Sequence, residues 1–392
     1  MAYAMVRGWA LLLILAMWAT QVVAAAKPPL HVVITIDTET SAGCSSRGCV
    51  PVPIEDRILG LHDGRYYGID LMMDLLEKHG MRGTFFVNSF LDAAYPNKEI
   101  ETFVHRILAR GHDVQIHAHA EFRCLRLCPR RDPGCWRQCT RHESFIGGNS
   151  YEAQLAILRE GVRNIERWTG SYPVAFRGGS FDADENTIRV LHALGIRFDS
   201  SMDLPSQRLS KLYPANRVAD HEGVVEIPLY TFRDDILGRQ LNKFADMESL
   251  SLLELKQLVR TAEQHDLRTA VFIMHSFSFC REPDSCPNRQ GIDIFDSFLS
   301  FLRSEPGVQV IMLKELAREY ERRPMDFIGS GYVPTYGYWT VLYRSFNRFS
   351  LSSNNRLFAI ANLAAALLVL IPILVAIRAL YRRRRTGGPL SR

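Results

Sequence analysis

The stretch Gly111-His112-Asp113-Val114-Gln115-Ile116-His117-Ala118-His119-Ala120-Glu121 starts as an apolar strand and ends with two imidazoles and a carboxylate within five residues. On a strand, His117 and His119 share one face. If the strand breaks after His117, Glu121 swings round to meet it. Either way the borderline nitrogen and oxygen donors of a divalent-metal site are on offer. A polar strand end with satisfied histidines has the same spelling, and this segment alone does not choose between the two.

Other strand ends carry similar chemistry. Asp37-Thr38-Glu39, Arg177-Gly178-Gly179, Asp199-Ser200-Ser201 and His275-Ser276-Phe277 each close an apolar run. The elements that must position them alternate in type. Strands are predicted at 31–36, 82–87, 114–119, 174–177, 224–229, 270–274 and 308–312. Helices are predicted at 69–78, 99–109, 152–168, 185–194, 250–265 and 294–303, from apolar residues at helical spacing. Near-continuous apolar strands between helices argue for a parallel sheet covered by helices. Seven or eight such units favour a barrel, in which function collects at the strand C-termini. Polar groups at that same end of successive strands therefore read as an active site.

Two apolar segments frame this body. Arg7 precedes an apolar run at 8–18, and Ala24 and Ala26 are spaced like a cleavage site, so residues 1–26 read as a signal peptide. Residues 357–377 carry no charge, are long enough to cross a bilayer once, and are followed by Arg378 and Arg382 to Arg385. Such a cluster keeps its side in the cytoplasm, which makes 378–392 an inner tail. The body at 27–323 is then extracytoplasmic, on the periplasmic side of an inner membrane if the cell is Gram-negative. Between body and span, 324–356 holds Tyr332, Tyr336, Tyr338, Trp339, Tyr343, Phe346 and Phe349, and reads as a stalk with rings at the lipid interface.

The formal charge of +5 belongs to this topology. Arg7 and six tail arginines supply seven positive charges, and without them the body stands at −2. No nucleic-acid surface is implied. All eight cysteines fall in the exported part, in three groups: 44 and 49; 124, 128, 135 and 139; 280 and 286. In an oxidising compartment they are expected to form disulfides, paired within groups, although a zinc knuckle would also fit the middle four. Each group follows a polar strand end, where a long loop over a catalytic face needs pinning.

Six motifs together resemble the polysaccharide deacetylases of the NodB-homology type: Thr35-Ile36-Asp37-Thr38-Glu39, Gly83-Thr84-Phe85-Phe86-Val87, Gly111-His112-Asp113 with His117, Phe176-Arg177-Gly178-Gly179, Gly195-Ile196-Arg197-Phe198-Asp199-Ser200-Ser201, and Met274-His275-Ser276. The resemblance runs over 31–316. It implies a distorted (β/α)7-type barrel, one divalent metal, commonly Zn2+, and removal of N-acetyl groups from a polysaccharide. By the same resemblance Asp37 is the catalytic base, Arg177 orients it, and His275 is the catalytic histidine. Asp199 and Phe277 are substrate-side residues, and a ring such as Phe277 or Phe279 can stack on a sugar. The metal set departs from the family pattern. The acidic neighbour of the base is Glu39 rather than an adjacent Asp. His117 matches the first metal histidine, and the place of the second is taken by Glu121, with His119 in between. Which of His119 and Glu121 ligates stays open. Two other functions share the scaffold: a carbohydrate-binding protein on a decayed barrel, and a hydrolase of a non-sugar amide.

Overall fold

Side-chain alternation along the first strand decides what faces what. In β1 (Leu30–Thr38) Val32, Ile34 and Ile36 pack outward against helices, whereas Val33, Thr35 and Asp37 face the other side of the sheet. The same two-residue period runs through β2 (Thr84–Asn88), β3 (Asp113–Ala118), β4 (Ala175–Gly178), β5 (Phe198–Asp199), β6 (Val224–Glu226) and β7 (Thr269–His275). All seven strands are parallel, in the order β6-β5-β4-β3-β2-β1-β7. The sheet curls until its ends meet: Leu229, just past β6, bridges Val271 of β7, and the Tyr230 N–H donates to the Val271 carbonyl at 3.0 Å.

The computed structural model describes residues 28–45, 48–129, 132–205, 208–280 and 286–348, then 357, 359–364, 367, 371 and 372. The predicted signal peptide, the basic tail and much of 357–377 lie outside the described residues. Among the described residues no helix is long and apolar enough to cross a membrane.

Inside the curl, Val33, Phe86, Ala175, Phe198, Val225, Val271 and Ile273 form a compact plug. Outside it, the strands' other faces meet α1 (Ile69–Lys78), α2 (Asn97–Ala109), α3 (Tyr151–Thr169), α4 (Glu185–Ala193), α5 (Leu252–Gln264) and α6 (Arg289–Ser304) in the larger core. These helices carry their own start signals. Ser150, Asp184, Ser251 and Asn288 each accept a first-turn backbone N–H through the side chain. The floor is closed by α7 (Leu313–Arg322). Asp113 holds its start there, accepting from the Lys314 N–H and the Thr84 hydroxyl, both at 3.2 Å. Half of the Gly111-His112-Asp113 motif is thus scaffold, since His112 likewise accepts from the Gly83 N–H at 3.1 Å.

Two features depart from the sequence reading. A polar hairpin, Thr231–Ile236 with Arg239–Phe244, follows β6. The residues read as a stalk also pack on the body. Thr335–Tyr336 pairs with the hairpin, and α8 (Tyr338–Asn347) lies against it through the buried Arg344. Cysteine pairing is local, as expected: Cys124–Cys139, Cys128–Cys135 and Cys280–Cys286, with Cys49 also disulfide-bonded. The middle four are therefore two disulfides rather than a zinc knuckle.

Candidate active site

The C-terminal ends of β1, β3, β4 and β7 bring the candidate residues to one mouth. Strand β3 ends by turning His117 inward, and the chain then bends into a short helical turn at Ala120–Arg123. That bend lets His119 come round beside His117, with the rings 4.8 Å apart and nearly perpendicular. Glu39, just past β1, lies between them. Its Oε2 is 3.0 Å from His117 Nε2 and 2.6 Å from His119 Nε2. Ser276 pins the Glu39 backbone at both ends. Its hydroxyl accepts from the Glu39 N–H at 3.3 Å and donates to the Glu39 carbonyl at 3.1 Å.

The outer ring nitrogens decide what this cluster can hold. His117 Nδ1 is 3.0 Å from the Arg177 carbonyl, which can only accept, so Nδ1 carries the proton. His119 Nδ1 faces the Glu121 carboxylate at 2.9 Å and donates in the same way. In neutral rings both Nε2 atoms are then acceptors, and they meet a third acceptor, the Glu39 carboxylate. Three acceptors aimed at one point call for a cation. Glu39, His117 and His119 have donor atoms all within 4.8 Å of one another, and the second partner on each ring is the usual orienting arrangement around a bound metal. The charge balance agrees. When protons rather than a cation fill the gap, burial still works to raise the Glu39 carboxyl's pKa, yet the charge of His119 and hydrogen bonds from both rings hold it well below the usual range. Burial works to lower the pKa of His119, but the Glu39 and Glu121 carboxylates draw it well above the usual imidazole value. The field that draws a proton onto His119 draws a divalent cation equally. Of the two residues the sequence left open, His119 shares the cluster with Glu39 and His117, and Glu121 stands behind it on His119 Nδ1.

Gly179 makes the arrangement fit. A Cβ there would sit 2.5 Å from the Ala118 carbonyl oxygen and 3.0 Å from His119 Nδ1, so a side chain would push the imidazole out of place.

Asp37 lies beside the cluster, its Oδ2 3.7 Å from His117 Nε2. Its Oδ1 accepts from Arg177 Nη1 at 2.6 Å. Arg177 is fully buried and held on every side. It donates to the Thr35 hydroxyl, to the Ser200 carbonyl and to the Ser200 hydroxyl, each at 3.0 Å, and its plane lies 4.1 Å over the Phe86 ring. A guanidinium fixed this way keeps one carboxylate oxygen occupied and leaves the other turned to the mouth.

Beside Asp37 stands His275, its partner in register on the neighbouring strand. Its Nδ1 is 2.7 Å from Glu248 Oε1, an oxygen that also accepts from the His275 N–H at 3.0 Å and the Ser278 hydroxyl at 2.6 Å. Burial works to lower the pKa of His275, but the Glu248 carboxylate outweighs it and lifts the value to about 10. Replacing Glu248 with Gln removes the strongest group opposing burial and leaves only the Glu39 and Asp37 charges against it. The His275 pKa is then expected to fall by several units, and any activity that needs the protonated ring loses its alkaline limb at correspondingly lower pH. A pH–rate profile measures this, and an unmoved alkaline limb in Glu248→Gln would contradict the pairing. Sequence reasoning missed Glu248, because it sits after the unrecognised hairpin and belongs to none of the six motifs.

Of the two substrate-side residues, Phe277 is where the sequence put it. Its ring stacks on His275 at 5.0 Å under the Arg57 guanidinium, and it lines a cavity of about 410 Å3 with Glu39, His119, Glu121 and Arg57. Asp199 is not. Its neighbour Phe198 faces the interior plug, so the two-residue period turns Asp199 outward. It is fully buried there beside Glu226, its partner in register, and burial pushes both carboxyls up. Its Oδ1 accepts from the Ser201 hydroxyl, which in turn accepts from the Gly178 N–H at 2.9 Å. Asp199 braces the loop that holds Arg177 and does not reach the cavity.

Comparison with known proteins adds the family. Residues 63–198, roughly a third of the chain, match the family model "Polysaccharide deacetylase". The chain carries a polysaccharide deacetylase homology region. His117, His119, Glu121 and Arg177 lie inside the matched stretch, while Asp37, Glu39 and His275 come from strands outside it. No curated protein matches. Among solved structures, a putative polysaccharide deacetylase from Mycobacterium smegmatis is 17% identical, over 76% of this chain and 93% of that one, with a TM-score of 0.48. The peptidoglycan deacetylase PdaC from Bacillus subtilis is 12% identical, over 76% and 94%, at 0.38. An allantoinase is 11% identical, over 76% and 92%, at 0.48.

Proposed function

We propose that this protein is a metal-dependent hydrolase that removes N-acetyl groups from a polysaccharide outside the cytoplasm, anchored by the segment at 357–377 with its tail inside. One observation carries the reading. Three acceptor atoms from Glu39, His117 and His119 converge on one point, with Asp37 beside His117 and His275 next to Asp37 on the neighbouring strand. A scaffold that only binds sugar has no use for a carboxylate locked to a buried arginine beside a proton-loaded imidazole.

Glu39, His117 and His119 would hold a divalent cation such as Zn2+, which would lower the pKa of a bound water and polarise an acetyl carbonyl. The chain's own groups do the rest. Asp37 Oδ2 takes the proton of the attacking water, while Arg177 holds Oδ1 fixed. His275, protonated by virtue of Glu248, gives its proton to the departing sugar amine. Phe277 and the cavity wall hold the acetylated ring against the mouth. Glu121 keeps the His119 tautomer correct.

The test is acetate release from a panel of N-acetylated glycans by purified enzyme, before and after chelation and after Zn2+ is restored. Acetate released, lost with chelator and recovered with metal, is the expected result. Sugar binding that persists in chelator with no acetate formed would favour the binding-protein reading instead.

A further inference from the structure

Helix α8 is amphipathic in the reverse sense. A surface helix normally turns its apolar stripe to the core and its charges to water. Here Val341, Arg344, Ser345 and Arg348, which follows the helix, are buried. Arg344 donates to both Asp234 oxygens, at 2.7 and 2.8 Å, and to Glu254 Oε1 at 2.7 Å. Arg348 donates to the carbonyl of Glu248, the residue whose carboxylate holds His275. The opposite face carries Trp339, Tyr343 and Phe346 at helical spacing, and they are 77%, 46% and 49% exposed. The body thus grips the charged side and leaves an aromatic stripe outside.

That stripe does not end with α8. The Tyr338 hydroxyl donates to the Asn362 side-chain carbonyl, tying α8 to the next helical residues, where Leu357, Ile360, Leu363, Leu367 and Ile371 are also exposed. We propose that the Trp339–Tyr343–Phe346 face of α8 lies in the headgroup layer of a lipid bilayer and holds the catalytic mouth close to it. This rests on the anchoring reading given above. Trp and Tyr pair a large apolar ring with one polar atom, which suits the boundary between water and acyl chains. The apolar stripe at 357–371 continues it into a segment that bears no charge before Arg378. Nine residue steps lead along the chain from Arg348, on the Glu248 carbonyl, to Leu357. Fully extended they reach about 30 Å, so the mouth cannot stand far from the membrane. The substrate is then a glycan presented at the lipid surface rather than one distant from it.

The experiment uses the full chain in phosphatidylethanolamine–phosphatidylglycerol vesicles, with and without brominated acyl chains. The Trp339 signal is the fluorescence difference between wild type and Trp339→Phe. Bromolipid is expected to quench most of that difference, and aqueous acrylamide little of it. Quenching by acrylamide but not by bromolipid overturns the proposal. Shielding from both overturns it too, by placing a protein surface or a second copy on the stripe. Release of the chain by alkaline carbonate refutes the anchoring reading and this proposal together, whereas retention with Trp339 unquenched by bromolipid refutes this proposal alone. None of these readouts depends on acetate release.

Discussion

Replacing Asp37 with Asn is expected to slow acetate release by about 10²–10⁴-fold, the usual worth of a positioned general base, while bound metal stays at the wild-type level. The substitution is nearly isosteric. Its carbonyl can still accept from Arg177 where Oδ1 does now, at 2.6 Å. What is lost is the charge on the oxygen turned to the mouth, and with it the ability to take a proton. Asp37 is not one of the three converging donors, so metal content is expected to hold. Acetate release and elemental analysis on the same preparation separate the two effects. A wild-type rate would remove Asp37 from the role of base, and lost metal would move it into the ligand set.

Replacing Arg344 with Met is expected to destabilise the protein by about 3–5 kcal/mol, the usual cost of breaking a buried ion pair from one side. Arg344 is 6% exposed, and its partners Asp234 and Glu254 are almost wholly buried. Without the guanidinium, the Asp234 carboxylate and the Glu254 Oε1 are left out of water without their donor, and only Glu254 Oε2 keeps partners, the Ser251 N–H and hydroxyl. The penalty comes mostly from the stranded acids, so replacing all three residues with apolar ones of similar volume is expected to recover much of the loss. Urea unfolding in detergent measures both variants. A change below about 1 kcal/mol in Arg344→Met, the size of an exposed pair, would mean that α8 is not docked as described.

The barrel strands and their helices were legible because they are strongly periodic. The helix at Ile69–Lys78 has the bounds the sequence suggests, and β7 runs one residue further at each end. Two classes of feature were not legible. The hairpin after β6 is polar, and its turn uses Leu237 and Gly238 at positive φ. Leucine is an unusual residue for such a turn, so the usual Asn-Gly or Asp-Gly signal is missing. Helix α8 was hidden because its aromatic face outweighs its buried arginines in any hydropathy reading. The site shows the same division. Glu39, His117, His119, Asp37, Arg177 and His275, which the structure brings to one mouth, were picked out because they stand at or just past strand ends. Asp199 also ends a strand, but facing is set by register, and one residue's difference puts a side chain on the far side of the sheet. Glu248 reaches His275 from a distant loop, a contact only the fold creates.

On the proposed function, Glu39, His117 and His119 hold one divalent cation and Glu121 does not. Metal content of the wild type, His117→Ala, His119→Ala and Glu121→Gln, with X-ray absorption at the zinc edge of the zinc-loaded wild type, tests it most directly. The expected result is one equivalent in the wild type with two imidazoles among its ligands, loss in both alanine variants, and a weakened but present site in Glu121→Gln. Full occupancy in His117→Ala and His119→Ala, or a single imidazole in the spectrum, would contradict it.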